Sequence, residues 1–296
     1  MTKNTVAQFC ALAAVVALPS LSFAGTPVKK ACCAPAPEKI TESAITGDIG
    51  LNVVSSYYRR GIIQQNHSAS FQPYLDVYFK AHEGDGFINK AVLGLGLWNS
   101  FSNTGAGNRR PGSTTNSWYE SDFTPSLALT AGKFTLTETY LILTFPGDAA
   151  ASAQALQSRL SFDDSDYLGT LALHPAITHV KELDGKIGTN TNSRGVQTQD
   201  KQGNLWELSV APGTAVGPVS ITIPLVLAFG SGGFYNQDGY GYFSGGVNLG
   251  YTLPVSKHYG TWTATAGATY YNTSKKATGN RSDNDIVASA GLGVAF

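Results

Sequence analysis

The chain has 296 residues, with 20 basic against 20 acidic side chains and a formal net charge of zero. That balance excludes the broad basic footprint of a nucleic-acid binder and the acidic composition of a solvated tail. A hydrophobic content of 42 % excludes a disordered chain.

The first 24 residues read as a secretory signal peptide. Lys3 supplies the positive start, Val6 to Leu18 is apolar apart from Gln8, Pro19 ends the run, and Ser22-Phe23-Ala24 places small residues where cleavage after Ala24 needs them. The run is shorter than the roughly 20 apolar residues of a membrane-spanning helix, and no later stretch reaches that length. Export is therefore predicted without a transmembrane helix. Cys10 leaves with the signal, so Cys32 and Cys33 remain in the mature chain. Adjacent cysteines close no useful loop, and two lone thiols make a poor metal site. Residues 25–46, with Pro27, Pro35 and Pro37, are expected to form a Pro-rich periplasmic lead-in.

From Gly47 onward one theme repeats. Phe71, Leu75, Val77 and Phe79 share one parity, while Gln72, Tyr74, Asp76, Tyr78 and Lys80 share the other. Consecutive side chains of a strand point to opposite faces, so each such run has one apolar and one polar face. Ile49, Leu51 and Val53 oppose Asp48 and Asn52; Leu93, Leu95 and Leu97 oppose Gly94 and Gly96; Ile286, Leu292, Val294 and Phe296 oppose Ser289, Gly291 and Gly293. A soluble sandwich has strands of about 5–6 residues, whereas a transmembrane barrel has tilted strands of about 10 residues with apolar side chains toward lipid. These runs are long, and the fold expected is an all-β, closed antiparallel transmembrane β-barrel over 47–296.

About 12 strands are expected, an even number as bacterial barrels require. They are placed at 47–59, 69–81, 88–101, 117–130, 133–145, 159–173, 175–184, 203–213, 217–230, 239–253, 259–272 and 283–296. His174-Pro175 is read as a tight turn. Glu138 shares the parity of Phe134 and Leu136, which calls for a bulge or an interfacial position, and Pro224 calls for a bulge or an unpaired site. Long connections at 102–117, 146–158, 184–202, 230–239 and 273–282 alternate with short ones, which orients the long set outward from the cell.

Phe296 ends the last alternating run and is the expected signal to the barrel assembly machinery. Ser55-Ser56-Tyr57-Tyr58-Arg59-Arg60-Gly61-Ile62-Ile63-Gln64 resembles the first-strand signature S-D-Y-R-F-R-G-I-S-Q of the TorF-type putative porin family. Ser55, Tyr57, Arg60, Gly61, Ile62 and Gln64 match, and Ser56, Tyr58, Arg59 and Ile63 depart from it. Tyr140 to Gly147 (YLILTFPG) is similar to that family's later tyrosine-rich strand. The resemblance implies an outer-membrane barrel and leaves its cargo open.

Arg60 is expected on the polar parity near the outer rim, either as an anion-selecting charge or paired with a carboxylate such as Asp76. Tyr74, Asp76, Tyr78, Lys80, Lys90, Glu120, Asp122 and Glu207 are the other candidate lumen-lining residues, and Tyr242 also points inward. The mixed signs argue against strong ion selectivity. Such groups could equally close a hydrogen-bonded plug. No H-E-x-x-H helix, G-x-S-x-G elbow or phosphate loop is present, so neither an enzyme nor a cofactor is expected. The function predicted is passive diffusion of small polar solutes through a narrow lumen, with outer-membrane lipid and the assembly machinery as partners and no nucleic acid. Two alternatives stand beside it. One is a structural or adhesive barrel acting through 102–117 and 184–202. The other is an outer-membrane hydrolase using His174 or His179.

Overall fold

A computed structural model of the chain describes residues 43–66, 68–102, 117–146, 150–188 and 202–296. The signal segment with Ala24, the lead-in up to residue 42 with Cys32 and Cys33, His67, and most of the long connections at 102–117 and 184–202 lie outside the described residues.

The strands are β1 (Ile45–Val54), β2 (Tyr57–Arg59), β3 (Ile62–Gln65), β4 (Ser70–Glu83), β5 (Lys90–Ser102), β6 (Trp118–Ala131), β7 (Phe134–Thr144) and β8 (Ala153–Phe162). They continue with β9 (Ala176–Asp184), β10 (Asn204–Val210), β11 (Gly213–Val216), β12 (Val219–Thr222), β13 (Leu225–Ser231), β14 (Gly239–Thr252), β15 (Thr261–Thr273) and β16 (Asn284–Ala295). All except β2 and β3 belong to one sheet, which the antiparallel pairing of β1 with β16 closes. β11 prolongs β10 past Ala211-Pro212, and β13 prolongs β12 past Ile223-Pro224, with β12 and β13 both paired to β14. The wall is therefore a closed antiparallel barrel of twelve staves.

The two parities separate as the alternation predicts. Leu51, Leu93, Leu95, Leu97, Leu136, Leu160, Leu208, Leu249 and Leu292 are exposed on the outer surface. No second protein layer covers them among the described residues, and hydrocarbon is the solvent that such a band suits. Inside, Tyr119, Phe145, Val180, Leu205, Phe234, Tyr235 and Tyr242 form a buried cluster toward the end that carries the long connections. The core of this protein thus sits within its lumen.

Five expectations about the wall need revision or resolve in a particular way. The first strand does not run to residue 59. It stops at Val54, where Ser55 makes the last contacts with Ala288, its N–H donating to the Ala288 carbonyl at 2.9 Å and its Oγ accepting from the Ala288 amide at 3.0 Å. Tyr57 to Gln65 then turn inward, because the next polar groups find partners across the lumen rather than along β16. The sixth strand is Ala153–Phe162, not 159–173. The acidic stretch after it folds into a helical turn, Ser165–Leu168, and just before it Asp163 Oδ1 accepts from the Ser165 amide at 3.0 Å. The connection to β9 is consequently a structured segment over 163–175 rather than a tight turn at His174-Pro175. Pro224 occupies a gap between β12 and β13, where its missing donor costs nothing. Glu138 sits in a β7 without a bulge, on the outer wall opposite Leu127, and accepts a 2.7 Å hydrogen bond from Ser158 Oγ.

Candidate functional site

β2 and β3 form a hairpin that crosses the lumen, paired Tyr57 with Gln65, Tyr58 with Ile63 and Arg59 with Ile62. Its two turn residues are Arg60 (φ 51°) and Gly61 (φ 76°), the left-handed pair of a type I′ turn. Glycine adopts that conformation freely, but arginine does so at a cost of about 1–2 kcal/mol, so contacts must hold the tip. Tyr235 Oη donates to the Arg60 carbonyl at 2.8 Å. Asn280 grips the strand behind it, donating from Nδ2 to the Gly61 carbonyl at 2.8 Å and accepting the Ile63 amide at 3.0 Å.

The hairpin is anchored by charge to two different staves, β6 and β10. Arg59 Nη1 donates to Glu120 Oε1 at 2.6 Å, Tyr57 Oη donates to the other oxygen of Glu120 at 3.0 Å, and Glu120 is fully buried. The Arg59 guanidinium also lies 5.4 Å from the centre of the Phe145 ring, within cation–π range. At the tip, Arg60 pairs with Glu207 on β10 and donates to the side-chain oxygen of Gln157 on β8. Glu207 takes a further hydrogen bond from Tyr242 Oη at 2.5 Å. On the remaining side Tyr58 stacks on Tyr271 at 4.3 Å and donates to Asp285 at 2.8 Å. Buried ion pairs contribute little net stability when compared with apolar packing, but they penalise every arrangement that leaves one charge alone. Two such pairs on different walls fix where the hairpin lies.

Between the hairpin and the end with the short turns, the inner parity is polar or small. Asp76 and Thr124 crowd Gly96, Ser126 and Tyr78 crowd Gly94, Asn52 and Thr265 crowd Gly291, and the Tyr74 hydroxyl lies against Gly50 and Gly293. Arg159 donates to Thr178 Oγ1 at 3.2 Å. Lys80, at the short-turn mouth, pairs with Glu83 at 2.6 Å, and Lys90 opens β5 across from Thr130. Phe296 closes the seam at the same end, exchanging 2.9 Å backbone hydrogen bonds with Gly47, and the residue is exposed.

The structure thus distributes the candidate residues over three levels. Glu120 and Glu207 hold the hairpin, and Asp122 lies beside it. Tyr74, Asp76 and Tyr78 occupy the wall below, and Lys80 and Lys90 the mouth. Arg60 departs from expectation twice. It is at the tip of an inward hairpin rather than on the rim, and its carboxylate is Glu207 rather than Asp76, because the turn carries it away from β4 toward β10. Sequence reasoning missed Tyr57, Arg59, Gln157, Tyr235 and Asn280 as members of this network. The one available signal was Arg60-Gly61 between two short alternating runs, the pattern of a hairpin with a two-residue turn.

The histidines of the hydrolase alternative lie apart. His174 is in the 163–175 connection, 3.7 Å from Asp164. His179 is on the outer wall, stacked on Trp206 at 4.3 Å with its Nε2 3.1 Å from Asn204 Oδ1, and Ser158 is its cross-strand neighbour. A larger concavity of about 520 Å³ also lies outside, lined by Phe134, Leu160, Ile177, Leu208 and Phe243. Its apolar lining suits hydrocarbon, whereas the polar groups converge inside the barrel. No group of three or more His, Cys, Asp or Glu residues is placed to hold a metal ion among the described residues.

No protein-family model and no curated protein sequence matches the chain. The TorF resemblance therefore rests on the short stretches around Arg60-Gly61 and Tyr140 to Gly147. Among solved structures, the chain is similar to the COG4313 outer membrane channel from Pseudomonas putida F1, with a TM-score of 0.50 and 11 % identity over 89 % of this chain and all of that one. It also matches outer membrane phospholipase A from Escherichia coli, with a TM-score of 0.40 and 11 % identity over 84 % of this chain and 92 % of that one. A third match is an anion-selective porin from Comamonas acidovorans, with a TM-score of 0.34 and 10 % identity over 85 % and 98 %. At these identities the similarity speaks to fold: the chain has the architecture of outer-membrane β-barrels.

Proposed function

We propose that the protein is an outer-membrane channel through which small polar solutes diffuse passively, with the Tyr57 to Gln65 hairpin as its constriction. The observation that carries this reading is the hairpin itself, clamped across the lumen by Arg59–Glu120 and Arg60–Glu207 above a wall of glycine, serine, threonine and asparagine. A barrel of about 8 strands fills with side chains and one of about 16 leaves an open channel. On this reading, twelve staves with a crossbar leave a path of intermediate width. On this reading the long connections face outside, the short turns face the periplasm, and the 24-residue leader is removed on export.

The positive and negative groups of the constriction neutralise one another in pairs, so the channel is expected to show weak ion selectivity. The test is single-channel conductance in planar bilayers together with swelling of solute-loaded liposomes. Small discrete steps and size-limited swelling support the channel. The absence of conductance above background overturns it. A second reading, acyl hydrolysis at the outer wall, draws on the neighbouring positions of Ser158, His179 and Asn204. Lipid cleavage that disappears in both Ser158→Ala and His179→Ala would establish it.

A further inference from the structure

The arginines of the crossbar are paired, but an inward arginine just below it is not. Arg159 lies on the inner parity of β8, between Thr137 on β7 and Thr178 on β9, while its strand neighbour Leu160 is exposed outside. It stands two residues past Gln157, which the tip arginine reaches, and so on the short-turn side of the hairpin. Arg159 makes no ion pair among the described residues. Glu207 and Arg60 are the charges close enough to act on it, and those two already balance each other. The trio therefore keeps one net positive charge, and Arg159 carries it.

The guanidinium is held from one side only. Nη1 donates to Thr178 Oγ1 at 3.2 Å and to Ser209 Oγ at 3.5 Å. Nε and Nη2 have no protein acceptor among the described residues, and neither is sealed from solvent in this half-buried side chain. Those two nitrogens form the side edge of the guanidinium, whose parallel N–H groups match the paired oxygens of a carboxylate or a phosphate. The hydroxyls thus turn an unused fork toward the lumen.

Charge count selects among the anions that the fork can take. One net positive charge is answered by one negative charge, and a dianion would bring a second one toward Glu207. Chloride answers the charge but offers a single point of contact. A carboxylate answers both the charge and the fork. We infer that Arg159 is a carboxylate-binding station beneath the crossbar, taking small monocarboxylates such as acetate through hydrogen bonds from Nε and Nη2. This rests on the channel reading and narrows it to a class of solute.

The test uses the full mature chain in nanodiscs, where NMR line broadening of isotope-labelled acetate reports binding, and in planar bilayers, where current is followed against acetate concentration. Saturable broadening and a saturating acetate current are expected. Acetamide, which has the shape without the charge, should not broaden, and sulfate should compete more weakly than propionate. Arg159→Lys keeps a cation but removes the fork, and is expected to weaken acetate by about tenfold, as loss of a charge-assisted hydrogen bond implies. Arg159→Gln should abolish saturation. Acetate bound as tightly by Arg159→Lys as by the unaltered protein overturns the inference, as does saturation that survives Arg159→Gln. The solute series runs on the unaltered protein, so it stands even where a variant fails to fold: equal broadening of acetate and acetamide, or tighter competition by sulfate than by propionate, also overturns the site. No saturation with acetate in a protein that still conducts overturns the site and leaves the channel intact. Saturable, Arg159-dependent binding in a protein without conductance upholds the site and overturns the channel.

Discussion

Arg60 and Glu207, 147 residues apart in sequence, meet as an ion pair on the inside of the barrel. Four staves separate β1 from β10 in one direction around the wall and six in the other, so the pair ties nearly opposite sides together through the hairpin. Tyr242 and Gln157 complete the coordination of the two charges.

The pair fixes the hairpin by making its alternatives costly. Glu207→Met leaves the Arg60 guanidinium buried with Gln157 alone and is expected to destabilise by about 3–5 kcal/mol, whereas the double variant Arg60→Met/Glu207→Met recovers most of that loss. Urea unfolding from lipid vesicles measures both. Equal destabilisation in the single and double variants would show that the pair does not hold the tip.

Gly61 has φ 76°, and a Cβ added there would lie 2.5 Å from the Tyr242 ring. Gly61→Ala is expected to cost about 1–2 kcal/mol from the left-handed backbone alone and to push the tip off its seat. Amide exchange should accelerate from Tyr58 to Gln65 while β14 and β15 stay protected. Uniform acceleration across the barrel would instead point to a folding defect.

The two faces of β5 and β6 make the membrane assignment testable with neighbouring positions. Leu95 is exposed on the outer band, and its strand neighbour Gly96 faces Thr124 inside. Leu95→Arg is expected to destabilise insertion by about 2–4 kcal/mol, as arginine does on a lipid-facing wall. Thr124→Arg, which points into the lumen, should fold with a smaller loss and shift the current toward anions. The same penalty at both positions would remove the distinction between lipid and lumen.

A pH effect is expected in the 163–175 connection. Burial pushes the Asp164 carboxyl up, but the amides of Leu173 and His174, each donating at 2.9 Å, outweigh it and hold the carboxyl below its ordinary value. A depressed carboxyl stabilises the folded connection fully above the unfolded value of about 3.9 and loses that contribution as pH falls through the lower folded value. Limited proteolysis of this segment should therefore increase at the acid end of the range, and Asp164→Asn should flatten the response. An unchanged acid sensitivity in the variant would assign the effect to another group.

Most of the wall was legible in the sequence because lipid and lumen impose opposite demands on alternate residues. β4, β5, β6, β14, β15 and β16 all fall within two residues of their expected bounds. The sixth stave was displaced because Ala153 to Ser158 reads as part of a connection, while the expected strand runs on past Phe162 into acidic residues that the hydrogen bonds of Asp163 and Asp164 fold into a helical segment. The hairpin escaped for a related reason. Tyr57 and Arg60 fall on the apolar and polar parities of the first run, and only Arg59, a charge on the apolar parity, breaks the pattern of a strand that climbs the wall.

The sequence by itself determined that this chain closes a long-stranded sheet with an apolar exterior, since period-two hydrophobicity is a local property that each run carries alone. Only the tertiary structure decided what fills the interior. Arg59 and Arg60 are drawn to Glu120 and Glu207 by electrostatics across the barrel, and such attraction depends on distance in space, which spacing along the chain does not encode.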